Sequence, residues 1–142
     1  SALVFLGIFA DCCTAGDLEY ALSVAAMEKN LDKVRELLKK GANLESTNGR
    51  GMTILMEVAG EGFLDVVKVL AENGAKIDGR DKRGMTALME AAGKGRLDVV
   101  TFLVDKGANV NGKTPAGASA VALADLGGHK QVVEFLKSKG AK

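Results

Sequence analysis

Between Gly84 and Asn111 the chain reads GMTALMEAAGKGRLDVVTFLVDKGANVN, and this stretch decides the fold. It opens on a turn, Asp81-Lys82-Arg83-Gly84, in which glycine supplies a backbone angle other residues resist. Thr86 stands where a helix begins and can accept a hydrogen bond from the free N–H groups of its first turn, worth about 1 kcal/mol. The first helix runs to about Gly93, with Leu88, Ala91 and Ala92 as a narrow buried face of small residues. Gly95 breaks the chain. A second helix follows, with Leu97, Val100, Leu103 and Val104 on its buried stripe at helical spacing. Asp98 complements the positive end of the helix dipole by roughly 0.3–1 kcal/mol. Gly107 closes the helix in a left-handed cap, with Lys106 near its negative end.

The same pattern recurs every 33 residues. Gly41-Ala42, Gly74-Ala75, Gly107-Ala108 and Gly140-Ala141 are successive copies. Thr53, Thr86 and Ser119 share a column, as do Gly51, Gly84 and Gly117, and Leu22, Leu55, Leu88 and Val121. The pairs Val66-Val67, Val99-Val100 and Val132-Val133 read Lys33-Val34 in the first copy. A helix hairpin of this size cannot hide its own apolar side, so copies stack and stability becomes a nearest-neighbour sum.

The run GMTALMEAA and the following GRLDVVTFLVDKGANVN resemble ankyrin repeats, over roughly residues 17–142. The resemblance implies an all-α solenoid of stacked helix-turn-helix units with protruding turn tips, in repeats of about 17–44, 45–77, 78–110 and 111–142. The family's Thr-Pro-Leu-His tetrad appears as Thr53-Ile-Leu-Met56, Thr86-Ala-Leu-Met89 and Ser119-Ala-Val-Ala122. The missing histidine removes a side chain that usually stitches neighbouring repeats.

The two ends of such a stack need closing. The column Leu38, Ala71, Val104 becomes Lys137, and Ala26, Ala59, Ala92 becomes Asp125, which writes a C-terminal cap. The first copy shows no such device: Ala21, Leu22, Val24, Ala25 and Ala26 read as an interior helix. Residues 1–16 form an apolar N-terminal segment, and Leu3 to Cys13 are expected to fold back as a capping helix over that end. The other reading is a signal remnant, with Ile8-Phe9-Ala10 resembling a cleavage site, although the basic leader is absent. Cytoplasm is the default location; a signal remnant in residues 2–10 implies a bacterial-like source and an exported or periplasmic protein.

Composition excludes several functions. With 19 basic and 18 acidic residues among 142 the net charge is +1, against a dedicated nucleic-acid or membrane-surface protein. No apolar run reaches the roughly 18 residues of a membrane span. Cys12 and Cys13 are adjacent and make no disulfide framework; packing is the plain reading. The single histidine, His129, stands where the family often opens its second helix. No metal or cofactor is expected, because a zinc site needs about four suitably spaced ligands. Gly93-Lys94-Gly95 begins like a phosphate loop but follows no strand. Glu57 and Glu90 could pair for acid–base work, yet repetition explains them more simply, and no catalysis is expected.

The surface remains. In stacks resembling this one, turn tips and the outer side of the first helices line up into a concave face that binds a partner. Mapped here, the tips offer Asn48, Arg50 and Met52, then Lys82, Arg83 and Met85, then Pro115, Ala116 and Ala118, and the first helices add Glu57, Glu61, Glu90 and Lys94. Recurrent Arg50 and Arg83 suit an acidic or carboxylate-bearing partner, and exposed methionines adapt to varied apolar groups. In the fourth copy the tip reads Thr114-Pro115-Ala116-Gly117 and the pattern fades, so repeats two and three should form the centre. The expectation is a non-enzymatic protein–protein interaction module with a protein partner. The alternative is a self-assembling or engineered scaffold that forms a homodimer through residues 2–13.

Overall fold

A computed structural model describes residues 15–142. Among them lie eight helices: α1 (Ala15–Met27), α2 (Leu31–Lys39), α3 (Ile54–Glu61), α4 (Leu64–Glu72), α5 (Ala87–Gly93), α6 (Leu97–Asp105), α7 (Ala120–Leu126) and α8 (Lys130–Ser138). They form four hairpins ranked side by side. First helices α1, α3, α5 and α7 pack successively in one layer, and second helices α2, α4, α6 and α8 in another. The expected capping helix at Leu3 to Cys13, the cysteine pair and the dimerising residues 2–13 lie outside the described residues.

The first helices after α1 begin as their sequence predicts. Thr53, Thr86 and Ser119 are N-caps whose hydroxyls accept from the N–H of Met56, Met89 and Ala122 at 3.5, 3.2 and 3.2 Å. Their burial is wider than a stripe. In α5, Ala87, Leu88, Met89, Glu90, Ala91 and Ala92 are all buried, because this helix lies between two first helices and above α6. In α6 the fully covered residues are Val99, Val100 and Leu103, whereas Leu97 and Val104 are half-buried. Val99 is 0% exposed, a burial that the stripe of a single hairpin does not reveal.

Two expectations about the ends divide. Ala26, Ala59 and Ala92 are 0% exposed and their fourth-copy counterpart Asp125 is exposed, as is Lys137. The first copy, however, does carry a polar device, on its second helix. Val66, Val99 and Val132 are buried at one column, and α2 places exposed Lys33 there. At the next column Val69 is buried and α2 places exposed Glu36. Glu36 bridges Lys33 at 3.4 Å and Lys40 at 2.9 Å, so this outer face is a solvated ion network.

The first hairpin also lacks a tip among the described residues. The turn column Gly51, Gly84, Gly117 reads Leu18, and the capping column Thr53, Thr86, Ser119 reads Tyr20. With neither breaker nor cap, α1 runs on through both positions for 13 residues.

Other groups take over the stitching lost with the family histidine. Met56 and Met89 fill those positions as core residues, 2% and 1% exposed. A polar ladder runs beside them: Glu45 accepts from the N–H of Lys76 at 2.9 Å, Asp78 from Asn109 at 3.0 Å and Asn111 from Lys142 at 3.0 Å. The three acceptors are 33 residues apart, so one bond type joins each segment that follows a second helix to the next such segment. Three further side chains reach back across repeats at the start of the second helices. The Phe63 ring receives the Lys29 ammonium at 4.5 Å, Arg96 Nε donates to the Gly60 carbonyl at 3.1 Å, and His129 packs against Gly95. His129 thus has a packing role.

Candidate functional site

Each tip is a tight turn tied to one anchor side chain. In the third repeat the anchor is Asp81, whose side chain is 0% exposed. Its Oδ1 accepts from the N–H of Arg83 at 2.8 Å and of Met85 at 2.9 Å. Asn48 does the same in the second repeat, accepting from Arg50 at 2.8 Å and Met52 at 3.1 Å. In the fourth, the Thr114 hydroxyl accepts from Ala118 at 3.1 Å. Tips also stack on one another. Lys82 Nζ donates to the Gly49 carbonyl at 2.9 Å, and Arg80 Nη1 donates to the carbonyls of Gly84 and Lys113 at 2.9 and 2.8 Å.

Beneath the tips, α1, α3 and α5 line a groove of about 250 Å³. It gathers six of the nine residues singled out from the sequence: Arg50, Met52, Glu57, Glu61, Glu90 and Lys94. Asn48 and Gly60 complete its lining together with two methionines that sequence reasoning did not single out. Met56 supplies the buried floor and Met27 an exposed wall. Met27 was legible only as a member of the column of Gly60 and Gly93, where a side chain replaces a glycine at the end of the row. A neighbouring concavity of about 270 Å³ shares Asn48, Met52 and Glu57 and adds Tyr20, which is 65% exposed. The two adjoin at those three shared residues, making a trough along the first-helix layer.

The remaining three sit elsewhere. Lys82 spends its ammonium on the neighbouring tip, and Met85 is half-buried against the core. Arg83 is folded back: its Nε and Nη2 donate to Asp81 Oδ2 at 3.1 and 2.7 Å, and Nη2 also reaches Glu90. Burial pushes the Asp81 carboxyl up, but the Arg83 hydrogen bonds and charge and the Met85 and Arg83 N–H groups outweigh it and hold the group below its ordinary value of 3.8. Glu90, 9% exposed, is a supporting residue for Arg83 as well as a groove wall. Across the groove Lys94 Nζ lies 3.6 Å from Glu61, joining α3 to the end of α5.

Glu57 and Glu90 are each occupied by a donor from their own tip, Asn48 and Arg83. Among the described residues no three His, Cys, Asp or Glu side chains come together as a metal site, and no helix is long and apolar enough to cross a membrane. What the arrangement offers is a shaped trough with a methionine floor and charged walls. A family model described as ankyrin repeats (3 copies) matches residues 22–114 and, overlapping that span, residues 80–142. No curated protein matches the chain.

Proposed function

The chain belongs to the ankyrin-repeat family, and from that premise we propose that it is a non-enzymatic module that takes a protein partner in the trough beneath its second and third tips. Ankyrin repeats generally mediate protein–protein interaction. The observation that carries the placement is the convergence of Arg50, Met52, Glu57, Glu61, Glu90 and Lys94 on one groove with Met27 and Met56. Methionines provide an adaptable apolar floor, and binding energy concentrates where such a floor is ringed by polar groups. Lys82, Arg83 and Met85 stand outside this groove, on the third tip. Arg83 holds the third tip together, so a change there disturbs the scaffold along with the surface.

A photoreactive benzophenone amino acid placed at Met52 tests this directly. Crosslinked protein from the source cell is expected with the label at 52 and not with the label at Lys68, which is exposed on the second-helix layer. Equal crosslinking from both positions would show that the trough is not the docking face.

A further inference from the structure

The anchor side chains of the second and third tips, Asn48 and Asp81, differ at one atom, and that atom decides what their arginines can do. In the third, Asp81 presents a second carboxylate oxygen, which captures the Arg83 guanidinium. In the second, Asn48 presents an amide NH2 at the same place, and this group donates to Glu57. An NH2 is a donor and so is a guanidinium, so Asn48 offers Arg50 nothing to bind. The result shows across the whole set of arginines. Arg35 pairs with Asp32 at 4.0 Å, Arg80 and Arg96 donate to carbonyls, and Arg83 is doubly bound. Arg50, the fifth, is exposed at the mouth of the groove, and among the described residues its guanidinium has no hydrogen bond or ion pair.

We propose that Asn48 releases Arg50 to receive a carboxylate from the partner, and that an apolar side chain next to that carboxylate seats on Met27, Met52 and Met56. The occupant is an acidic–apolar peptide segment. This deepens the groove reading and rests on it. Guanidinium is suited to carboxylate because its planar fork matches two oxygens at once. A polyanion is a poor fit, since Glu57, Glu61 and Glu90 line the same groove and repel added negative charge.

The test selects random dodecapeptides on the immobilised 142-residue chain and measures synthetic versions against variants. The expected peptides carry Asp or Glu within two residues of Leu, Met or Phe. Their affinity is expected to fall on the order of tenfold or more with Arg50→Ala. It should fall similarly with Asn48→Asp, which recaptures Arg50 while keeping the turn, as an unchanged circular dichroism spectrum and melting temperature would verify. Arg35→Ala should have little effect. Loss with Arg50→Ala but not with Asn48→Asp keeps the receptor and overturns the releasing role of Asn48. Loss with Met52→Lys alone overturns the Arg50 proposal and leaves the groove standing. Indifference to all of these changes, or a selection that yields no binder, overturns both.

Discussion

Gly84 has φ 77, in the left-handed region, and a Cβ built on it would stand 2.5 Å from Pro115 Cδ on the next tip. Two costs therefore fall on Gly84→Ala: a left-handed alanine, about 1–2 kcal/mol, and a collision between stacked tips. The variant is expected to lose about 2 kcal/mol or more in urea denaturation, and a loss below about 0.5 kcal/mol would contradict the tip packing. Asp81 makes a second residue-scale prediction. Its folded pKa lies below the ordinary 3.8, so the stability it contributes is present above that value and is lost as pH falls through the folded one. Asp81→Asn keeps both N–H acceptances, as Asn48 shows, but removes the titrating group. Its melting temperature should fall less steeply than the parent's as pH drops below 3.8; parallel curves would rule out Asp81 as a contributor.

Helix starts follow two rules in this molecule. First helices after α1 begin on a hydroxyl cap, α2 begins on Asn30, whose side chain accepts from the Lys33 N–H at 3.1 Å, and α4, α6 and α8 begin on Phe63, Arg96 and His129 with no side-chain cap bond. The first rule is local and visible in any single repeat. The second makes sense only across repeats, because the large side chain at that position covers the glycine or lysine turn of the repeat before it. Thr86→Ala should cost about 1 kcal/mol and Thr86→Ser much less, read by the same urea titration; equal effects would mean that the hydroxyl is not the cap. α1 shows the converse. With Leu18 and Tyr20 in the breaker and cap columns, nothing stops the helix, and Tyr20 is left exposed beside the trough.

For the whole molecule, the stack is a row whose interior columns are apolar and whose outer columns are charged. Lys33 and Glu36 on α2 stand exposed in the columns where Val66 and Val69 are buried. The double variant Lys33→Val, Glu36→Val recreates an interior face on the outside. It should raise the weight-average mass in sedimentation above that of the parent at equal concentration, because an unpartnered apolar face drives association. Unchanged mass would show that these charges do not guard the end of the row.

By itself the sequence determined the period, the helix pairs, the hydroxyl caps and the glycine turns, because each is a local preference repeated at a fixed spacing. It also singled out nine residues, six of which meet in one groove. The tertiary structure alone decided which of them are available. Whether an arginine is folded back or left open depends on one donor or acceptor atom of the tip's anchor side chain, at Asp81 or Asn48. Whether a column is core or surface depends on the neighbour packed against it, which is why the polar face of α2, the groove wall at Met27 and the ladder of Glu45, Asp78 and Asn111 had no signature within a single repeat.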